Sequence, residues 1–370
     1  MSDTKTKLKT DNRLLSLDFF RGFTMLLLVG EFSFLYYKMA SPSLEGTFIY
    51  SIATQLHHAE WLGLHFWDLI QPFFMFIVGV AIPFSFSKRI ERGDSYNLLL
   101  THAIKRSVLM LVLGWASACV EAGEIVFRFQ NVLAQLSVTY LIAFLIVRKN
   151  VSTQLIVSFG LLILTELIYR LFWVDGFTNP FSPTNENFGS WLDILYGGEN
   201  LARHWVSFNA IPTAAHTIWG VIAGNLLMSN KPAAKKVKIL IIAGLIGVIL
   251  GYALNPITPI IKRIATSSFV IVSGGWAILA LAISYWLIDV KKSRKWVIIF
   301  SVVGMNPLFI YLFGGWGGRP LFEKIIYPFT HALFDWTGEV GVGIIQSLIV
   351  WFLFWYVCYW MYKKKIFIKI

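Results

Sequence analysis

Residues 57–86, HHAEWLGLHFWDLIQPFFMFIVGVAIPFSF, join a cluster of titratable side chains to a long apolar run. The apolar half predicts a membrane helix, because about 20 apolar residues are needed to cross roughly 30 Å of hydrocarbon. The first half carries two adjacent histidines, His57 and His58, and two acids, Glu60 and Asp68. We therefore expect a membrane-spanning helix with ionisable groups at its amino-terminal end.

The composition of the whole chain is that of a membrane protein. Of its 370 residues, 56% are hydrophobic, 16% aromatic and only 14% charged, more apolar side chains than a soluble domain of this length could bury. The amino terminus is polar and lacks a short apolar core with a small-residue cleavage site, so we do not expect a removed signal peptide. The two cysteines, Cys119 and Cys358, both lie in apolar runs and define no disulfide framework.

Ten apolar segments are candidate spans. They are centred on residues 18–37, 68–86, 104–121, 131–147, 154–174, 211–228, 238–254, 268–288, 296–313 and 344–362. We predict an all-α fold, a polytopic transmembrane helix bundle of about ten spans in which residues 1–370 form a single integral domain. Glycines at Gly220 and Gly224, and at Gly244, Gly247 and Gly251, indicate close helix packing and would permit a homodimer.

Most of the 32 lysines and arginines fall in alternate loops. The positive-inside rule then predicts that both termini, including a tail at residues 1–14, are cytoplasmic. The opposite, extracytoplasmic face carries the long aromatic loops 38–67, 175–210 and 314–343. Topology and the lipid bilayer thus explain the net charge of +12, and we expect no nucleic-acid partner.

The histidines are concentrated on the extracytoplasmic side. His57, His58, His65, His204 and His331 fall in outer loops, and His216 lies about one turn inside the sixth predicted span. An imidazole titrates near neutral pH and can move protons, bind metal or act as a nucleophile. No HExxH, CxxC, GxSxG or Walker motif is present, so we expect no metal site, serine hydrolase or P-loop pump.

Several ionisable residues fall inside predicted spans, where charge is unfavourable and usually functional. They are Asp18, Arg21, Glu31, Asp68, Glu166 and His216. Asp18 and Arg21 have the spacing of a structural ion pair on one helix face. The others fit either an enzyme or, as the alternative, a proton-coupled transporter or flippase of a sugar or glycolipid.

Six motifs occur in the order found in one known family. They are SLDFFRGFTM from residue 16, the segment from residue 57, VLAQLSVTYL from 132, HTIWGVIAGNLL from 216, RIATSSFVIVSGGWAILALAISYWLIDV from 263 and VVGMNPLFIYLF from 302. Over nearly its whole length the chain resembles the bacterial relatives of heparan-α-glucosaminide N-acetyltransferase. The resemblance implies an enzyme of the bacterial cytoplasmic (inner) membrane that moves an acetyl group from cytoplasmic acetyl-CoA to an amino sugar or other glycan acceptor outside.

The resemblance also implies roles for individual residues. The active-site histidine of the family falls on His58, and its other motif residues on Asp68, Arg21 and Asn306. Two positions depart from the family: Glu31 stands near the place where the lysosomal members carry asparagine, and Gln135 lacks the neighbouring arginine of many relatives.

From the residues themselves, His58 is expected to act as general base or as nucleophile, with Asp68 or Glu60 orienting its ring. The residues expected to serve coenzyme A are Arg21, Arg106, Gln135, Asn131 and Asn306. Those expected to face the sugar, an amine or hydroxyl acceptor, are Trp61, His57, Glu31 and His216.

Overall fold

The computed structural model describes residues 14–172, 176–177, 179–184, 186–197 and 205–368. These ranges form helices and turns and contain no strand, so the all-α prediction is confirmed for them. The predicted cytoplasmic tail lies outside the described residues except for Leu14, and His204 lies outside them as well.

Fifteen α-helices follow one another along the described residues. They are α1 (Leu15–Phe32), α2 (Leu35–Met39), α3 (Phe48–Gln55), α4 (Ile70–Ile90), α5 (Tyr96–Ala122), α6 (Val132–Leu145), α7 (Val151–Leu171), α8 (Phe188–Gly197), α9 (Ala210–Met228), α10 (Ala233–Leu254), α11 (Ser267–Tyr285), α12 (Val297–Gly304), α13 (Pro307–Phe313), α14 (Arg319–Phe334) and α15 (Gly338–Lys363). A 3₁₀ turn, Phe66–Leu69, leads directly into α4, and a π-helical turn, Trp286–Val290, extends α11.

Each predicted apolar segment overlaps one of these helices, and residues 296–313 overlap the pair α12 and α13. Six helical stretches of the described chain are long and apolar enough to cross a membrane by themselves. They are Phe66–Ile90, Tyr96–Ala122, Val151–Leu171, Ala233–Leu254, Ser267–Val290 and Pro307–Lys363. This is the architecture of a multi-pass helical membrane protein.

Helix α4 is the most buried of these candidate spans and packs against α1, α6, α9 and α11. Its contact with α9 depends on glycine, because a Cβ on Gly79 would lie 2.0 Å from the carbonyl oxygen of Thr217. A Cβ on Gly220 would in turn lie 2.2 Å from the carbonyl oxygen of Phe76, so the predicted close helix approach is confirmed here. The two backbones pack directly together and fix α4 within the bundle.

Two of the acids predicted inside spans are engaged in structural contacts. Arg21 pairs with Asp18 at 3.9 Å on α1, as their spacing predicts. Glu166, on α7, accepts from Arg170 Nε at 2.7 Å, Thr258 Oγ1 at 2.5 Å and Ser267 Oγ at 3.2 Å. Glu166 therefore ties α7 to the loop 255–266, which joins α10 to α11.

Candidate active site

A cavity of about 700 Å³ lies inside the bundle, enclosed chiefly by α1, α4, α5, α6 and α13. One end is formed by His58, Trp205 and Lys262, and we call it the His58 end. The other, the Arg106 end, is formed by Arg21, Ser85 and Arg106. At about 1.5 Å per helical residue, the part of α4 that lines the cavity, from Ile70 to Ser85, spans about 22 Å. The cavity therefore runs along much of the length of a membrane span.

Asp68 anchors the His58 end. It is the third residue of the 3₁₀ turn that precedes α4, and its side chain is 1% exposed. One carboxylate oxygen, Oδ2, accepts from the backbone N–H groups of Ala59 at 3.2 Å and His65 at 2.9 Å. The other, Oδ1, lies 2.8 Å from Nδ1 of His58. These contacts hold the loop that carries His58 against the start of α4, which explains why the histidines and the acid adjoin in the sequence.

The imidazole of His58 is oriented by this carboxylate. An ionised carboxylate only accepts hydrogen bonds, so Nδ1 of His58 must donate and Nε2 carries the free lone pair. About half of the side-chain surface, 51%, is accessible, and the residue lines the cavity. The ring thus presents an unprotonated nitrogen at one end of the cavity.

Lys262 completes the cluster and was missed by the sequence reasoning. Its Nζ lies 3.0 Å from Nδ1 and 3.5 Å from Nε2 of His58, and 3.5 Å from Oδ1 of Asp68. Its side chain is only 15% exposed. One signal in the sequence could have found it: Lys262 and Arg263 stand in a short loop predicted to be extracytoplasmic, against the positive-inside bias.

The electrostatics of this cluster keep the imidazole neutral. Burial and the neighbouring Lys262 ammonium lower the pKa of His58, and the hydrogen bond that His58 donates to Asp68 only partly opposes them. Burial also lowers the pKa of Lys262, against the opposing charges of Asp68 and Glu31. The lowered pKa of His58 favours its free-base form near neutral pH.

The loop 255–266 holds Lys262 in a fixed position. Thr266 closes the loop, since its hydroxyl accepts from the N–H of Ile261 at 3.0 Å and donates to the carbonyl of Pro259 at 2.8 Å. The N–H of Gly63 donates to the carbonyl of Ile260 at 2.9 Å, which joins this loop to the one that carries His58. Two segments about 200 positions apart in sequence thus meet through their backbones.

Glu31 and two indoles surround the cluster. Glu31, in the last turn of α1, lines the cavity and hydrogen-bonds with the side chain of Trp67. The ring of Trp67 lies 6.4 Å from that of His58, and the ring of Trp205 lies 5.9 Å from Nζ of Lys262. The His58 end therefore offers a carboxylate and flat apolar surfaces beside the imidazole.

The Arg106 end is basic. Arg106 lies over the ring of Tyr140 at 4.8 Å, and its buried Nε has no hydrogen-bond partner among the described residues. It also lines an adjoining pocket of about 260 Å³, which shares Ser85 with the cavity and adds Arg89 and Lys105. Arg21 lines the cavity at the same end. These cations suit a ligand that carries phosphate groups.

Three residues predicted near His58 lie outside the cavity wall. Glu60 is exposed, and Asp68 is the acid that contacts and orients the ring of His58 in the described part of the chain. The indole of Trp61 donates to the carbonyl of Phe181 at 3.1 Å. Nδ1 of His57 lies 2.7 Å from the carbonyl of Ala53. Trp61 and His57 thus support the fold of the loop that carries His58.

Three of the predicted amides have partners in the protein. The amide of Gln135 accepts from that of Gln71, which lines the cavity. Asn131 lines the cavity and also caps α6, accepting from the N–H of Ala134 at 3.0 Å. Asn306 is buried at the break between α12 and α13, where its amide donates to the carbonyl of Ile366 at 3.0 Å. Asn306 therefore holds the carboxyl-terminal segment beside the Arg106 end.

His216 lies away from the cavity. It is fully buried on α9, and its Nε2 lies 2.9 Å from the carbonyl of Val270 and 3.0 Å from Oγ of Ser273. These contacts join α9 to α11. Within the described ranges, no group of three or more His, Cys, Asp or Glu side chains is arranged to hold a metal ion.

The comparisons with known proteins agree with the motifs. A family model described as a domain of unknown function (DUF5009) matches residues 13–178. Heparan-alpha-glucosaminide N-acetyltransferase of Mus musculus is 25% identical over 435 aligned residues, which cover 99% of this chain and 62% of that protein. The protein of that name from Homo sapiens is 26% identical over 432 residues, covering 97% of this chain and 60% of that protein. The chain thus spans about three fifths of the length of the curated relatives it matches. The resemblance seen in the motifs is confirmed: the chain is a distant relative of the heparan-alpha-glucosaminide N-acetyltransferases.

Proposed function

We propose that this protein is a membrane acetyltransferase that uses acetyl-CoA as donor and an amino sugar as acceptor. In this proposal about ten spans cross the bacterial cytoplasmic membrane with both termini inside, so the Arg106 end faces the cytoplasm and the His58 end faces outward. The observation that carries the proposal is the continuous cavity that connects a basic mouth with an oriented imidazole. A donor and an acceptor in different compartments would need such a passage between them.

The Arg106 end would bind coenzyme A. Its phosphate groups would pair with Arg106, whose buried Nε has no partner among the described residues, and with Arg21 and Arg89 nearby. The thioester arm would then extend along α4 toward His58. The amide of Gln71, held by Gln135, would contact this arm midway along the cavity.

His58 would perform the chemistry through Nε2. As a general base, it accepts the proton of the acceptor amine while that nitrogen attacks the thioester carbonyl, and coenzyme A leaves as its thiol. As a nucleophile, Nε2 itself forms the C–N bond, coenzyme A leaves, and the amine then takes the acetyl group from the imidazole. Asp68 serves both routes, because it fixes the tautomer and stabilises the positive charge that develops on the ring.

The acceptor would bind at the His58 end. The carboxylate of Glu31 attracts an ammonium group, and the indole ring of Trp205 offers a flat surface suited to a sugar. A glucosamine-like sugar combines an amine with such a ring. A sugar hydroxyl at the same place would be the alternative acceptor.

Transfer of label from radiolabelled acetyl-CoA to a panel of amino sugars, in detergent, tests the proposal. We expect an N-acetylated product with the wild type and none with His58→Ala, which should fold normally because half of this side chain is free of contacts. Full activity in His58→Ala would overturn the assignment. Absence of transfer with every amino sugar and hydroxyl acceptor, together with solute uptake by sealed vesicles, would instead support a transporter.

A further inference from the structure

We propose that Lys262 is a catalytic residue whose ammonium group donates a hydrogen bond to the oxyanion formed on the acetyl carbonyl. This inference rests on the proposed acetyl transfer and adds a residue that neither the motifs nor the comparisons assign. Acyl transfer needs such a donor, because negative charge develops on the carbonyl oxygen as the new C–N bond forms. Preorganised donors of this kind usually make a large contribution to the rate.

The position of Lys262 fits this role. Its Nζ lies 3.5 Å from Nε2 of His58, the nitrogen that would face the reacting carbonyl, and both residues line the cavity. A carbonyl carbon poised for attack lies about 3–3.5 Å from the attacking nitrogen, so its oxygen comes within hydrogen-bonding reach of Nζ. The loop 255–266 holds the lysine there before any substrate binds.

Lys262 also has protons available for the substrate. An ammonium carries three N–H donors and no acceptor. Nδ1 of His58 already bears a proton directed at Asp68, so it offers Lys262 no lone pair. Among the described residues, the acceptors left to the ammonium are Oδ1 of Asp68 and the lone pair on Nε2 of His58, each at 3.5 Å. Even if both accept, one of the three donors is left to meet an oxyanion.

The surroundings of Lys262 act on its charge in opposite directions. Burial lowers the pKa of Lys262, the negative charges of Asp68 and Glu31 oppose this, and the adjacent Arg263 adds to it. The same positive charge disfavours a protonated His58 before the reaction. If an acetyl-imidazolium forms, the neighbouring ammonium also destabilises it, and transfer to the acceptor amine becomes more favourable.

The chemical step balances without consuming Lys262. As the C–N bond forms, the π electrons of the carbonyl move to oxygen, and the ammonium N–H shortens its contact with that oxygen. The electron pair then returns, the C–S bond breaks, and coenzyme A leaves as thiolate, to which His58 passes the proton that it took from the attacking amine. Lys262 keeps all of its protons throughout.

Steady-state kinetics of Lys262→Met test the inference. The loss of one oxyanion donor lowers kcat by about 100-fold or more in other acyl-transfer enzymes. We therefore expect about a 100-fold loss of kcat with little change in the KM for acetyl-CoA. Lys262→Arg should restore much of the rate, since it keeps a cation with N–H donors at this position. Lys324→Met, the same change on an exposed residue of α14, is the matched control.

The kcat of the folded protein separates catalysis from a merely structural role. In Lys262→Met, the acid limb of kcat/KM should move to higher pH, because the variant lacks the ammonium that lowers the pKa of His58, and the charged neighbours that remain among the described residues are Asp68 and Arg263. If Lys262 only supported the fold, its loss would lower the melting temperature, but kcat per folded molecule would stay near the wild-type value. Should Lys262→Met fail to fold, Lys262→Gln, which keeps a neutral donor, should retain an intermediate kcat.

The outcomes also distinguish this inference from the proposed function. No acetyl transfer by the wild type would reject both. An active wild type with an equally active, folded Lys262→Met variant would reject the role of Lys262 alone. A loss confined to KM, with kcat and the acid limb unchanged, would likewise reject it.

Discussion

Replacement of Asp68 by asparagine would change the tautomer of His58. In the wild type, Oδ2 accepts two backbone N–H groups and Oδ1 accepts Nδ1 of His58. Asparagine has only one acceptor oxygen. If that oxygen faced His58, the amide NH₂ would meet the N–H groups of Ala59 and His65, and each buried donor left unpaired costs about 1–3 kcal/mol.

The favoured arrangement therefore keeps the oxygen on the backbone and turns the NH₂ toward His58. Nδ1 must then accept, the ring proton moves to Nε2, and the base or nucleophile is lost. The equivalent change in a Ser-His-Asp triad lowers kcat about 10⁴-fold, which corresponds to about 5 kcal/mol of transition-state stabilisation. We expect a loss of this size in Asp68→Asn.

The assay is the initial rate of acetyl transfer, with the melting temperature followed by tryptophan fluorescence. Glu60→Gln removes an exposed carboxylate eight positions earlier and should have little effect. A folded Asp68→Asn variant with a rate within tenfold of wild type would refute the reasoning. So would a Glu60→Gln variant as impaired as Asp68→Asn, because Glu60 would then be the residue that orients the ring.

Three further outcomes test other parts of the structure. Arg106→Met should raise the KM for acetyl-CoA by about tenfold or more, since a hydrogen bond to a charged group contributes about 1.5–3 kcal/mol. The control variant Lys149→Met should leave this KM unchanged. Gly220→Leu should prevent recovery of folded protein, because a Cβ there would meet the backbone of α4. Gly160→Leu should be tolerated, because a Cβ at that position has nothing within 4 Å. Size-exclusion profiles of the two variants would test this difference. The wild-type kcat/KM should rise with pH through the pKa of His58 and reach half its maximum below about pH 6.5, the ordinary histidine value, because burial and Lys262 lower this pKa against the opposing Asp68. A midpoint above that value would contradict the lowered pKa of His58.

Much of the helical fold could be predicted from hydrophobicity alone. Apolar runs identified the helices that form the bundle, because each run must bury its backbone polar groups in a helix within lipid. The close contact of α4 with α9 was likewise visible in Gly220 and Gly224. The break at Asn306 was not expected, because residues 296–313 are apolar apart from Ser301 and Asn306, and the one helix-breaking residue among them is Pro307, which lacks an N–H.

Of the candidate site, the sequence predicted only the residues that lie close together along the chain. His58 and Asp68 are ten positions apart, so their pairing is compatible with a single loop. Lys262 reaches them through a loop 204 positions away, and no periodicity reports a contact of that range. The difference between Asp68 and Glu60 was also hidden, because both precede the same helix and only the turn Phe66–Leu69 decides which carboxylate faces the ring.

Asp68 both stabilises the local fold and orients His58, and this affects how distant homologues should be interpreted. Its side chain caps the turn that leads into α4 and holds the neighbouring loop, so a homologue without enzymatic activity would still need an acceptor oxygen there to fold. His58 makes few contacts beyond this carboxylate, and the polar contacts of the Lys262 amine lie within the same cluster. Retention of the acid alone would thus be a poor marker of an active protein, whereas retention of the imidazole and the lysine amine together would be a diagnostic one.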